Sequence, residues 1–247
     1  MLNSLNSFSV VFLAALALMI ALRLWLGLRQ ITHILGHRES VPPQFAERVS
    51  IYAHQKAADY SVARTRFGRL GLAVEIVVLL AFTFGGGLQF LHDFWAARLD
   101  GLYYGVALIV SVMTISGLID LPLSLYTQFV IEERFGFNRM TLRLFFSDLA
   151  KQLALGLIIG IPVLLAVLWL MTQMGEHWWL YVWLFWCGFN LLILFIYPAW
   201  IAPLFNKFTP LEDDALKQRI EALLNRCGFA SSGLFVMDGS KRSAHGN

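Results

Sequence analysis

Five long apolar runs alternate with polar, charged stretches along most of this chain, and the last part switches to soluble composition. The runs are Phe8–Leu28, Leu70–Leu91, Leu102–Val130, Leu153–Met171 and Trp178–Trp200. Each holds about 20 residues or more, enough at 1.5 Å per residue to cross roughly 30 Å of hydrocarbon. The pattern predicts an α-helical polytopic membrane protein with spans at about 8–28, 70–91, 102–130, 153–171 and 178–200. A signal peptide is the competing reading of the first run. Met1–Ser7 carries no positive charge and the run is longer than a usual h-region, which favours a retained helix.

Within the polar stretches, Phe45–Ala63 places Phe45, Val49, Tyr52, Ala53, Ala57 and Tyr60 roughly on one helical face. Asp120 and Pro122 together predict a kink or break in the third run. Beyond Trp200 the pattern is that of a soluble domain. Thr209 is placed as a helix N-cap, with Pro210 at the first helical position and Glu212 closing a capping box. Leu216, Ile220, Leu223 and Leu224 form that helix's apolar stripe, and Gly228 its C-terminal stop. Gly233–Met237 reads as a short strand, Asp238-Gly239-Ser240 as a turn, and Lys241–Asn247 as the entry to a further strand.

Composition agrees with the pattern. Of the 247 residues 58% are hydrophobic and 14% charged, where a soluble domain carries about 25% charged residues. The basic residues follow the loops. Arg29 to Arg69 holds seven Lys or Arg, the next loop only Arg98, the third Arg134, Arg139, Arg143 and Lys151, and the fourth none. The positive-inside rule then sets the first and third loops in the cytoplasm, the N-terminus outside and the soluble segment inside. The net charge of +3 is thereby a topology signal, and no nucleic-acid partner is expected. Trp178, Trp179, Tyr181 and Trp183 at one end of the fifth run, with Tyr197 and Trp200 at the other, suit two membrane interfaces. Cys187 and Cys227 suggest neither a disulfide framework nor a zinc site.

Ionisable residues inside spans are costly and therefore candidates for function. Arg23, Glu75 and Asp120 qualify. They either line a water-filled cavity between helices or pair with one another, and Arg23 can also snorkel toward an interface. A helical zinc protease site needs H-E-x-x-H, which puts two ligands on one face and a general base between them. The chain contains no such motif. His33 and His37 have the spacing, but Ile34 stands where the Glu would be.

Three strings carry a resemblance: E-E-R-F-G-F-N at Glu132–Asn138, I-A-P-L-F-N-K-F-T-P-L at Ile201–Leu211 and V-M-D-G-S-K-R-S-A-H-G-N at Val236–Asn247. In sequence and order they resemble the type I CAAX prenyl endopeptidases, integral-membrane zinc metallopeptidases. The resemblance covers nearly the whole chain. It implies seven membrane helices around a large cavity, with a thermolysin-like domain between the fifth and sixth. This chain would then hold the first five helices in residues 1–200 and, in 201–247, the start of a soluble α/β zincin-like domain. The resemblance also implies a peptide or protein substrate cleaved near its C-terminus, a lipid bilayer as surroundings, and Zn2+ as cofactor. Asn247 matches the edge-strand residue that pairs with the substrate backbone, and His245 is the next candidate near the cleft. Gly246 departs from the usual Ser. Glu75, Asp120, Glu132 and Arg139 are the candidates for the cavity. The family's H-E-x-x-H is expected beyond residue 247, so no catalytic residue or metal ligand is assigned within this chain. An N-terminal fragment of this kind is expected to be inactive and unstable alone. The style suggests a bacterial inner-membrane protein. The alternative is a non-enzymatic, transporter-like or scaffold protein, with Glu75 and Asp120 marking a path.

Overall fold

Four of the helices begin on a short polar side chain that takes up an otherwise unpaired N–H of the first turn. Asn6 accepts from Ser9 N at 2.8 Å to open α1 (Ser7–Gly36), and Ser50 accepts from Ala53 N at 3.2 Å to open α2 (Ile51–Thr83). Thr141 accepts from Leu144 N at 3.2 Å before α5 (Leu142–Gln173), and Asp213 from Leu216 N at 2.9 Å before α8 (Asp214–Arg226). Between these lie α3 (Gly87–Ala96), α4 (Gly101–Tyr126), α6 (Trp178–Ile196) and the short α7 (Ala202–Phe205). The structure, a computed structural model, describes residues 6–231 and 233–244.

Among the described residues four helices are long and apolar enough to cross a membrane, and five if the bent pair α2–α3 counts as one span. Their apolar side chains are largely exposed; Ile158, Leu194 and Phe195 are examples. A helix hydrophobic all round with little of it packed on protein suits a lipid surrounding. The protein is therefore a mostly helical, multi-pass membrane protein, as the apolar runs predict.

Several boundaries differ from the sequence reading. The amphipathic helix expected from Phe45 starts instead at Ile51, because Pro42 and Pro43 hold a separate 3-10 turn at Pro43–Phe45 and Ser50 supplies the cap. It then runs without interruption to Thr83, merging the polar face and most of the second apolar run. The break comes at the glycines: Gly86 has φ +77°, and a Cβ on Gly85 would sit 2.7 Å from the Ala81 carbonyl oxygen. Only glycines permit this 50° bend between α2 and α3. Pro122 does not break α4, which continues to Tyr126 and passes into a π-helical segment at Thr127–Glu132. The capping box at Thr209–Glu212 is not formed. Phe208–Pro210 is β1, paired antiparallel with β2 (Phe235–Met237) in the register Thr209↔Val236, and the helix waits for Asp213. The pairing of β1 with a strand some 25 residues away outweighs the local cap signal.

The chain divides into two compact units, one of Met1–Phe90 with Met113–Gly136, the other of Leu91–Val112 with Phe137–Asn247. In the first unit α1 packs along α2. Arg38 locks the connection with a fork onto Asp59, at 2.8 and 2.9 Å. In the second unit α5 packs along α6, and Trp95 donates to Ser111 at 2.9 Å.

Candidate functional site

Two polar places stand out, one in each unit. In the first unit a cleft of about 360 Å³ opens among α1, α2, α4 and the following π-helical segment. Arg23, Glu75, Asp120, Ser124 and Thr127 supply its polar lining, and Gly68 and Gly71 leave space beside them. Arg23 Nη1 stands 3.6 Å from Glu75 Oε2, with both side chains more than half exposed. The pair forms, and the same two side chains line the cleft together with Asp120.

Glu132 lies elsewhere in that unit. It is 8% exposed and accepts a hydrogen bond from the Tyr60 hydroxyl at 2.6 Å. Phe135 packs edge-on to the Tyr60 ring, 5.3 Å between centroids. The chain then turns at Gly136, whose φ of +76° is the left-handed conformation glycine tolerates best. Glu132 is a buried, hydrogen-bonded carboxylate at the base of this turn and does not line the cleft.

In the second unit Phe137–Asn138, Phe205–Asn206 and Arg242–Ala244, parts of the three strings, come together around Arg242. Its Nε and Nη2 donate to the two carboxylate oxygens of Asp148, at 2.7 and 3.2 Å. Nη1 donates to Asn206 Oδ1 at 2.7 Å, and Nη2 also to the Phe205 carbonyl at 2.6 Å. Asp148 is 5% exposed, and burying it is tolerable only because this planar fork satisfies it. The Asp148 carboxylate in turn raises the Arg242 pKa above its ordinary value. The backbone of the same residue is also held. Arg139 N donates to the Arg242 carbonyl at 3.3 Å, and Ala244 N to the Phe137 carbonyl at 2.9 Å. Asn138 and Ser243 face each other as an antiparallel bridge. Nearby, Asp238 accepts from Lys207 N at 2.7 Å and pairs with Lys241. Lys241 first, and then that N–H, hold the Asp238 carboxyl below the usual carboxylate range.

Arg139 thus makes a backbone hydrogen bond beside the Asn138–Ser243 bridge and is not among the residues lining the cleft with Glu75 and Asp120. His245 and Asn247 lie outside the described residues. His33 and His37 sit on α1 and its cap with ring centroids 4.3 Å apart. Among the described residues no three of His, Cys, Asp and Glu come together as a metal site, so the groups present here do not by themselves fit a zinc ion. The sequence alone assigns no site role to Arg242, Asp148 or Tyr60, although Tyr60 falls on the amphipathic face and Arg242 within the third string. A signal existed for Asp148, an acid set between Phe145-Phe146-Ser147 and Leu149-Ala150 just before an apolar span, and for Arg242, one of the two cations of the third string.

Residues 30–207 match the family model for the CAAX prenyl protease N-terminal region, described as five membrane helices. The chain belongs to the CAAX prenyl protease family. Similar proteins include CAAX prenyl protease 1 homologs of Arabidopsis thaliana and Homo sapiens. The first is 36% identical, over 90% of this chain and 54% of the relative. The second is 34% identical, over 84% of this chain and 45% of the relative. The crystal structure of S. mikatae Ste24p superposes with a TM-score of 0.87 at 31% identity, over 94% of this chain and 55% of that one. The chain spans about half the length of the curated relatives it matches. The CAAX prenyl protease frame accounts for the helical membrane architecture.

Proposed function

We propose that the protein is a membrane-embedded zinc metalloendopeptidase that cleaves peptide bonds near protein C-termini, of the CAAX type that its relatives' names specify. One observation carries the reading. Parts of the three strings, far apart in sequence, meet around Arg242: its side chain holds Phe205 and Asn206, and the isolated bridge Asn138–Ser243 lays Arg242–Ala244 beside residues 137–139. An extended peptide is captured by main-chain hydrogen bonds along an exposed backbone edge of this kind. Asn247, three residues beyond Ala244, is the substrate-backbone contact in this reading, with His245 beside it. Residues 201–247 form the start of a soluble α/β domain, supported by the β1–β2 pair and α8. The Zn2+ would be held by residues outside those described here, and it would supply the activated water for hydrolysis. This chain's own residues position the peptide strand and frame the membrane cavity. The soluble segment faces the cytoplasm of a bacterial inner membrane, supported by the alternation of basic loops.

The polar cleft of Arg23, Glu75 and Asp120 favours a second reading, a transport-like or scaffold protein without catalysis. One experiment separates them. The full-length protein, purified in detergent, is offered a CAAX-type peptide with and without a chelator. Cleavage that stops with the chelator and returns with Zn2+ is the expected result. A protein with no chelator-sensitive cleavage is not this enzyme. Reading the source locus past the Asn247 codon for an in-frame H-E-x-x-H is the companion check.

A further inference from the structure

We propose that the second unit carries a binding site for the phosphate group of an acidic membrane lipid, in the cleft formed by Lys151, Lys207, Lys241 and Arg242. The cleft is about 300 Å³, and Leu144, Pro203, Leu204 and Phe205 provide its apolar wall. Four cations line or border it against two carboxylates, Asp148 and Asp238. Both carboxylates are already engaged, Asp148 by the Arg242 fork and Asp238 by Lys241 together with the Lys207 N–H. The cations thus outnumber the carboxylates by two. Lys151 donates to the Leu204 carbonyl at 2.8 Å and stands 4.0 Å from an Asp148 oxygen that Arg242 already holds. The Lys207 ammonium has neither an ion pair nor a hydrogen bond among the described residues.

The position of the cleft identifies the anion. Lys151 precedes the apolar run 153–171 of α5 by two residues, roughly 3 Å along a helix. Pro203, Leu204 and Phe205 follow Trp200, the last residue of the apolar run along α6, which is 76% exposed. Both sides of the cleft therefore lie at the headgroup layer, which extends only about 5–8 Å beyond each face of the hydrocarbon. Lysines there attract acidic lipid, and the exposed Leu204 and Trp200 suit the adjoining glycerol and acyl segments. A free inorganic anion would use the cations but none of the apolar wall. The proposal rests on the membrane architecture and not on the protease reading.

The test uses the full-length protein in detergent, with native mass spectrometry of retained lipid. Phosphatidylglycerol and phosphatidylcholine are offered together. Preferential retention of phosphatidylglycerol is expected, falling about 30-fold in Lys151→Ala/Lys207→Ala, from roughly fivefold per lysine at a membrane surface. The charge-keeping pair Lys151→Arg/Lys207→Arg should retain the preference, and it serves as the folded control. Equal retention of the two lipids by the wild type, or an unchanged preference in the alanine pair, overturns the proposal. So does displacement of phosphatidylglycerol by millimolar inorganic phosphate, which would mark a site for the free anion. If the alanine pair does not fold, Lys207→Gln alone must weaken the preference about fivefold, and no change there overturns the proposal equally.

Discussion

Arg242 reaches Asp148 through two N–H groups, at 2.7 and 3.2 Å, and directs its remaining donors at Asn206 and Phe205. Arg23 approaches Glu75 with one nitrogen, at 3.6 Å, inside a cleft. The first pair has side-chain exposures of 21% and 7%, the second 59% and 64%. The same two chemical groups thus serve opposite ends. A buried fork fully satisfied by neighbours fixes one geometry and tolerates no loss of a partner. An open, single-contact pair is loosely held. The second unit uses its pair to hold three chain segments together, whereas the first uses its pair to line a cavity.

Removing Arg242 should produce the largest effect. Arg242→Ala leaves the buried Asp148 without its fork, with only Lys151 at 4.0 Å, and a stability loss of about 3–5 kcal/mol is expected, read as a fall in the unfolding midpoint in detergent. Arg242→Lys keeps the charge but not the planar fork, so it should recover only part of the loss. A loss below about 1 kcal/mol in the alanine variant would show that Asp148 finds water instead, and the contrast between the two pairs would collapse.

Glu132 offers an intermediate case. Tyr60→Phe removes one donor from this buried carboxylate while preserving the ring contact with Phe135. The expected cost is about 1–3 kcal/mol, measured in the same way. A neutral result would mean that other groups around Glu132 take over the hydrogen bond.

The helices and the membrane class were legible in the sequence because apolar runs of spanning length follow from one large energetic cost, that of exposing polar backbone to lipid. Their limits were not. The Gly85-Gly86-Gly87 run was visible, but only the close approach of Ala81 shows that the bend there demands glycine. Thr209-Pro210-Leu211-Glu212 satisfies every local rule for a helix start and forms a strand end instead, since pairing with Phe235–Met237 is a long-range interaction that no short window contains. The same reason hid the candidate site. Glu75 and Asp120 announced themselves as charges in apolar runs. Asp148 and Arg242 are separated by 94 residues, and their pairing exists only once the fold brings them together. Arg139 was noticed for its charge, whereas its role in the structure is a backbone hydrogen bond.

A double-mutant cycle on Arg23 and Glu75, using Arg23→Gln and Glu75→Gln, sharpens the comparison from the other side. A wet cleft screens the pair, so a coupling below about 1 kcal/mol is expected. A coupling of several kcal/mol would mean that lipid, not water, surrounds these side chains, and the cavity reading would fail. Water access has an independent readout: Asp120→Cys should react with a membrane-impermeant thiol reagent.

The smallest effect belongs to Asp238, whose partner Lys241 immediately precedes Arg242. Its carboxyl is held below the usual range first by Lys241 and then by the Lys207 N–H. A carboxyl depressed in the folded state contributes stability that is fully present above its unfolded pKa of about 3.9. That contribution is lost as pH falls through the lower folded value. The wild type should therefore lose stability more steeply below about pH 4 than Asp238→Asn, and the two should run parallel above about pH 5. Denaturation midpoints across pH 2–6 test this. If the wild type and Asp238→Asn run parallel across the whole range, the pairing with Lys241 does not hold this carboxyl in the folded state, and the junction around Arg242 is fixed without it.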